Sequence, residues 1–496
     1  MASIEEIRQV RVAKLETLRA QGVDPYPART LRTHEIGIAA DRFEALSGSA
    51  EEVVLAGRAM AIRGQGALAF VDLDDGTGKI QAFMRRDDAP AYEGRSDIDG
   101  FALFGETADQ GDFLEFRGTL ALSKRGEKTI FVKSWRMLSK SLRALPDGWY
   151  GLKDPDEVLR RRYLDILLNP ETRATVERRS RFWNAARSWL LGRGFVEVET
   201  PVLENSTGGA EARPFETYHN ALDLPVYLRI SAGELWQKRL LVAGLPKVFE
   251  IGRIFRNEGM SHEHLQDYTQ LEYYEAYSDF RQGLEAVREL YLTLATETFG
   301  TTRFVLNGHE VDLADPWREV DFCAAIRDRH GVDVLETSEA DLSAALERAG
   351  VAAEEPFSRE RVADQLWKVC RREIGGPAVL TGVPVLMEPL AKRDENDPRV
   401  VERFQVILGG SEVGKGFSEL NDPIDQRERF ERQQAMRDAG DVEAQMGDWD
   451  YIEAMEHGMP PAFGFGVSER FFAFLAGKSV REAQIFPLMR PRQKEE

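Results

Sequence analysis

The stretch FRNEGMSHEHLQDYTQLEYYEAY, residues 255–277, decides the fold. KVFEIGRIFRN leads into it and YTQLEYYEAY closes it, both patterned as half-buried strands around a polar loop. Arg256 ends the first strand and Tyr268 opens the return strand. An Arg at a hairpin root can bridge two oxyanions, and an aromatic across the hairpin can stack on a base. Arg470 begins the last helix after a Gly-containing strand, placed to reach a terminal phosphate. Each lone Arg could equally be a surface ion pair; the three features together point to nucleotide chemistry. Glu272 in LEYYEAY and Glu419 in KGFSEL fall on strands expected in one sheet. Two carboxylates on one sheet face need a cation, or their pKa values rise. The partner is either an Arg or Lys of the chain or a ligand with a compact ammonium, helped by the Tyr274 hydroxyl.

Outward from the hairpin, FVEVETPVL, VYLRI, PAVLTGVPV and RFQVILGGSEVGKGFSEL read as further strands. Helical spacing runs through TVERRSRFWNAARSWLLGRG, residues 280–299, most of 315–375, and DQRERFERQQAMRDAG. GFGVSERFFAFLAG reads as a strand-to-helix junction. There is no βαβ alternation, so this part is expected to be a large antiparallel sheet flanked by helices.

Toward the N-terminus the texture differs. Residues 4–21 read as a surface helix stopped at Gly22, and VDPYPARTLR as an extended connector. From Val53 five short strands follow, with the apolar stretch DGFALFGETA after the third. That is the plan of an OB barrel, a common oligonucleotide binder. Residues 124–143 hold seven Lys and Arg against one Glu, either a basic binding end or a solvated edge. The fold class is therefore α+β. The expected domains are an N-terminal helix and connector (1–52), an OB barrel (53–143), a linker (144–176) and a large α/β domain (177–496) with a helical insertion at about 315–375.

Composition narrows the classes. The 65 Lys and Arg against 84 Asp and Glu leave a net charge of −19, which argues against indiscriminate nucleic-acid binding but not against a local basic face. Two cysteines and no CxxC or HExxH imply a reducing, cytoplasmic setting without structural zinc. MASIEEIRQVRVAKLETLRAQG has no apolar core of a secretory signal, and no run of about 18 apolar residues suggests a membrane span. GGSEVGKG imitates a P-loop, but Gly416 stands where Mg²⁺ needs a Ser or Thr. GFGVSE begins like a dinucleotide loop and ends in Glu469. His262 and His264 have strand spacing for a metal pair but no evident third ligand. No Ser-His or Cys-His arrangement suggests a covalent nucleophile.

Over nearly its whole length the chain resembles class II lysyl-tRNA synthetases. FVEVETPVL resembles motif 1, the 255–280 stretch motif 2, and GFGVSERFFAFLAGKSVREAQIFPLMRP motif 3. GGAEARPFETYHNALDLPVYLRI, PLAKRDENDP and FSELNDPIDQRERF resemble lysyl-type signatures. The resemblance implies ATP-dependent ligation of L-lysine to tRNA(Lys) through a lysyl-adenylate, by a homodimer using Mg²⁺. It implies that Arg256 holds the α-phosphate and the lysine carboxylate, Tyr268 stacks on adenine and Arg470 holds the γ-phosphate. Glu258 and His264 join the ATP site, and Glu412 binds Mg²⁺. Glu234 and Gly209 would take the α-amino group. Glu272, Glu419 and Tyr274 would take the ε-ammonium, with Lys415 near the carboxylate and Phe417 lining the pocket. In the barrel, Arg63, Phe70, Gln81 and Glu127 match anticodon-contacting positions.

The chain departs from the pattern in places. The loop Glu263-His264-Leu265-Gln266-Asp267-Tyr268 lacks the family's phosphate-binding Arg, with His262 or His264 as substitutes. Gln405 stands where a metal-binding Glu is expected, and Lys415 replaces an Asn. SAGELW carries one extra residue before Glu234, and motif 3 reads GFGVSER. Three alternatives follow: an RNA-binding paralogue with altered catalysis, an aspartyl- or asparaginyl-type enzyme, or an enzyme that lysylates protein.

Overall fold

The computed structural model describes residues 3–49, 51–146, 154–210, 212–259, 261, 264–352, 358–440 and 444–491. The chain divides into two compact units, residues 1–158 and 159–496.

The first unit begins with α1 (Ile4–Ala20), capped by Ser3 and Glu6 in a reciprocal capping box. Two short helices, Ile36–Asp41 and Phe43–Ser49, lie where the sequence suggests only a connector. The barrel strands are β1 (Glu52–Gln65), β2 (Leu68–Asp74), β3 (Lys79–Arg85), β4 (Phe113–Leu122) and β5 (Lys128–Ser139). Their order is β3-β2-β1-β4-β5, and a parallel pairing of β3 with β5 closes the barrel. Closure leaves no long open edge between these strands. The expected apolar stretch forms α2 (Gly100–Thr107), and a two-residue strand at Ala91–Tyr92 adds to β5. Alternation is clean in β2, whose Ala69, Val71 and Leu73 enter the core.

Much of the basic end is paired inside the unit. Lys140 is buried between Asp109 (2.6 Å) and Asp112 (2.8 Å). Arg136 meets Glu115 at 3.0 Å, and Lys133 meets Glu52 at 2.7 Å.

The second unit is built on eight strands: β6 (Val196–Glu197), β7 (Lys247–Phe255), β8 (Asp267–Ala276), β9 (Arg318–Asp321), β10 (Ala378–Thr381), β11 (Arg403–Leu408), β12 (Ser411–Ser418) and β13 (Ala462–Ser468). The order is β9-β10-β11-β12-β13-β8-β7-β6. All neighbours are antiparallel except the two edge pairs, β6–β7 and β9–β10. β9 lies inside the stretch the sequence suggests is mostly helical. Its helices begin only at Phe322.

Two helix layers use the strand alternation. Leu271 and Tyr273 of β8, with Phe463, Phe465 and Val467 of β13, face a core shared with α3 (Pro170–Gly192) and α5 (Phe280–Phe299). The opposite face carries Tyr274, Phe417 and Val248 against a second core, which includes α4 (Glu234–Val242) and α6 (Arg359–Arg371). The sheet is followed by α7 (Glu469–Leu475), capped by Ser468. GGSEVGKG is the β11–β12 hairpin, with Leu408 paired to Ser411 across Gly409 and Gly410, so it is strand hairpin and not a P-loop. GFG lies inside β13 and is likewise strand. Among the described residues, no helix is long and apolar enough to cross a membrane.

Candidate active site

Two rows of residues cross the second face of the sheet. Glu272 stands opposite Gly466, which stands opposite Lys415, which stands opposite Gln405. One pair along, Tyr274, Gly464, Phe417 and Arg403 repeat the pattern. Alternating Phe and Gly in AFGFGVS sends the aromatics into the helix layer and leaves glycines as a floor. Above it opens a cavity of about 470 Å³, lined by Gly209, Glu234, Arg256, Glu272, Tyr274, Glu412, Lys415 and Phe417, among others. The sequence expectations for these eight positions converge on one space. Glu419, one residue past β12, is buried behind the floor; Glu258, His264, Tyr268 and Arg470 also lie outside the lining.

Each acid has a distinct setting. Glu272 Oε1 accepts from the Ala232 amide at 2.9 Å, and Oε2 accepts from the Tyr274 hydroxyl at 3.1 Å. Burial, then repulsion from Glu234, pushes its pKa above the ordinary carboxylate range. Glu234 opens α4 after Gly233 in the left-handed conformation. Gly209, at φ +85°, lies directly against it: a β-carbon there would fall 2.7 Å from Glu234 Cβ. Glu419 is 1% exposed, and its Oε1 has no hydrogen-bond partner among the described residues. Burial raises its pKa too, against the pull of Lys238.

Lys238, which sequence reasoning missed, answers part of the charge question. Its Nζ lies 2.7 Å from Glu234 Oε1 and 2.5 Å from Glu419 Oε2. Burial opposes its charge, but Glu234 and Glu419 outweigh burial and raise its pKa. The i, i+4 spacing from Glu234 on a helix is the one signal that could have found it.

At the hairpin, the Arg256 amide donates to Gln266 O at 2.7 Å, continuing the strand pairing by one residue. Its Nε donates to Ile230 O at 3.2 Å, and its guanidinium carbon is 6.0 Å from the Tyr268 ring centroid. The loop is tied by Gln266 to the Glu258 carbonyl at 3.1 Å. Ser261 Oγ and His264 Nδ1 stand 2.7 Å apart, a Ser-His contact the sequence did not suggest. Both are exposed and outside the cavity lining, so this contact ties the loop. Met260, His262 and Glu263 lie outside the described residues, and with them the metal pair and the His262 substitution. Arg470 is half-buried in the first turn of α7, after buried Glu469, which pairs with Arg179 at 2.5 Å.

The donors for a divalent cation are few. Glu412 Oε1 accepts from Trp367 Nε1 at 2.8 Å, and Oε2 pairs with Arg371 at 2.8 Å. The Gln405 amide oxygen accepts from Arg403, and Lys415 reaches Glu388 at 3.3 Å. No group of three or more His, Cys, Asp or Glu among the described residues could hold an ion alone. A single carboxylate fits Mg²⁺ carried in on nucleotide phosphates, which supply the remaining oxygens with water.

In the barrel unit, Arg63 pairs bidentately with Asp72 at 2.7 Å, and Gln81 donates to Glu127 at 2.8 Å. Phe70 stands opposite Arg63 and packs on Phe83 at 4.9 Å, which meets Phe131 at 5.4 Å. Arg63, Gln81 and Glu127 thus flank a half-exposed aromatic row that starts at Phe70. Phe83 and Phe131, which sequence reasoning missed, extend it.

A family model described as tRNA synthetases class II (D, K and N) matches residues 154–490, and one for the OB-fold nucleic acid binding domain matches 53–138. The chain is similar to the lysine–tRNA ligase of Roseiflexus sp. (strain RS-1), 42% identical over 99% of both chains. It is 42% identical to that of Pelotomaculum thermopropionicum over 99% of this chain and 96% of the relative. With that of Thermotoga maritima it shares 40% over 99% and 98%.

Proposed function

The chain belongs to the class II lysyl-tRNA synthetases, and from that premise we propose that it activates L-lysine with ATP as lysyl-adenylate and transfers lysine to tRNA(Lys). The observation that carries the lysine reading is the gathering of Glu234 and Glu272 in the lining of one cavity, with Glu419 buried just behind its floor and Arg256 in the same lining. Such a pocket repels the carboxylate of aspartate and has no need of an asparagine amide.

A lysine carboxylate oxygen attacks the α-phosphorus in line, and the bond to the bridging oxygen of pyrophosphate breaks. Arg256 sits at the hairpin root to bridge that carboxylate and the α-phosphate. Tyr268 supports the base and Arg470 the terminal phosphate. Glu258 and His264 belong to the loop that covers the nucleotide. Glu234 with Gly209 receives the α-ammonium; Glu272, Tyr274 and Glu419 receive the ε-ammonium, beside Phe417. Lys415 offers a second cation near the carboxylate. Glu412 would hold Mg²⁺, which, when bound, neutralises developing phosphate charge. The chain orients reactants and stabilises charge, and no covalent intermediate with the protein is required. A terminal ribose hydroxyl of the tRNA then attacks the lysyl carbonyl, and AMP leaves.

Anticodon bases would stack on the Phe70 row, with Arg63, Gln81 and Glu127 offering hydrogen bonds. The reading includes a homodimer in the cytoplasm; exposed Val196, Val202 and Leu203, after α3, support the dimer. Pyrophosphate exchange tests the proposal. Exchange should require lysine; none with lysine, but exchange with aspartate or asparagine, would overturn it.

A further inference from the structure

At the Tyr274 end of the site three buried carboxylates, Glu234, Glu272 and Glu419, gather around the buried Lys238. Lys238 Nζ bridges Glu234 Oε1 and Glu419 Oε2, and the rings of Tyr274 and Phe417 lie 5.7 and 5.3 Å from it. Glu234 on its own helix, Glu419 past β12 and Tyr451 on the helix Trp449–Glu456 act on it, the Tyr274 ring on β8 lies beside it, and Glu272 on β8 repels Glu419. Lys238 forms its ion pair with Oε2 of Glu419, and Oε1 is buried without a hydrogen-bond partner among the described residues, beside Tyr274 and over Gly464.

With all three acids ionised, as in the lysine complex, they and Lys238 leave two negative charges. Bound lysine supplies two ammonium groups, while its carboxylate meets Arg256. We propose that Lys238 is a positioning residue that fixes this balance, favouring the ionised form of Glu419 and leaving a single oxygen of it for the substrate, so that the site selects a molecule bearing two ammonium groups. This rests on the lysine-activation reading. Without Lys238 the buried acids would exceed the substrate's ammoniums by one, and the surplus carboxylate would take a proton. A neutral Glu419 attracts the ε-ammonium weakly.

A plain structural brace between α4 and β12 predicts something different, and pH separates the two. Full-length wild type and Lys238→Met are compared by pyrophosphate exchange across pH, after circular dichroism confirms folding. Wild-type exchange with lysine tests the underlying reading; if it is absent, that reading fails and Lys238 is not at issue. With it present, Lys238→Met should raise the lysine KM at neutral pH at least about 10-fold, with ATP KM changed less than about 3-fold. The pH at which lysine KM levels off should move up by about one unit. Lys238→Met combined with Glu419→Gln should bring that pH back toward the wild-type value, whatever its KM, because the surplus acid is gone. An unmoved pH profile, or equal losses for lysine and ATP, overturns the proposal. Should Lys238→Met not fold, Lys238→Arg decides: it keeps the charge, so the wild-type profile must persist even if lysine KM rises, and a profile shifted upward overturns the proposal.

Discussion

Glu419 Oε1 occupies the space that a β-carbon on Gly464 would need. The same β-carbon would also press on the Tyr274 ring, 2.5 Å from Cε1. Both neighbours are buried, so neither can swing into solvent. Gly464→Ala should therefore displace Glu419, the acid proposed to meet the ε-ammonium, while leaving the proposed ATP end of the cavity alone. Lysine KM in pyrophosphate exchange should rise at least about 10-fold, the equivalent of ~1.4 kcal/mol, with ATP KM nearly constant. A variant that folds and keeps wild-type lysine KM would remove Glu419 from the substrate site.

Titration offers a second check. Glu272 and Glu419 are held above the ordinary glutamate range by burial, with Glu234 adding repulsion. A carboxylate whose native pKa is raised binds protons in the folded state that it loses in the unfolded state. Its contribution to stability is thus present below about pH 4.3 and lost as pH rises through the raised value. Substrate acts in the opposite sense, because an ammonium favours the ionised acids. Lysine binding should release protons, and lysine KM should fall as pH climbs through the window above the ordinary glutamate value. Titration calorimetry in two buffers of different ionisation enthalpy reads the protons. No release near neutral pH would mean that the acids are already ionised in the free enzyme.

These relationships were unequally legible in the chain. The hairpin at residues 255–277 announces itself through alternation, and Arg256 and Tyr268 fall within one residue of their expected places. Phe463, Gly464, Phe465 and Gly466 are equally plain once read with period two. β9 is not: Arg318, Glu319 and Asp321 leave only Val320 apolar, and the segment is a strand because Ala378–Thr381 pairs beside it. Lys238 shows half of its role in sequence, four residues from Glu234. Its contact with Glu419 exists only because α4 packs over the strands, which no local pattern encodes. The internal pairing of Lys133, Arg136 and Lys140 is hidden for the same reason.

The barrel unit makes a separable prediction. Phe83 lies between Phe70 and Phe131 in a half-exposed row. Stacking of one base on an aromatic is worth about 1–3 kcal/mol. Phe83→Ala should raise the tRNA KM in charging assays by about 5- to 100-fold, in keeping with that range. Lysine-dependent pyrophosphate exchange without tRNA should stay at wild-type rate. Unchanged charging kinetics would move the anticodon contact away from this row.

The Arg371–Glu412 pair bears on the metal. Arg371 holds Glu412 Oε2 at 2.8 Å, and Trp367 holds Oε1. A divalent cation approaching that carboxylate on ATP must compete with the guanidinium for the same oxygen. With Gln405 neutral, no second carboxylate at that position offsets the competition. Arg371→Met removes the competitor and leaves the Trp367 hydrogen bond to orient Glu412. The Mg²⁺ concentration for half-maximal exchange should therefore fall, by about 3-fold or more if the pair is worth the ~0.7 kcal/mol of a partly exposed ion pair. Glu412→Gln should raise it. If neither variant changes the Mg²⁺ requirement, Glu412 is not a ligand, and its role is to anchor α6 to β12 through Arg371 and Trp367.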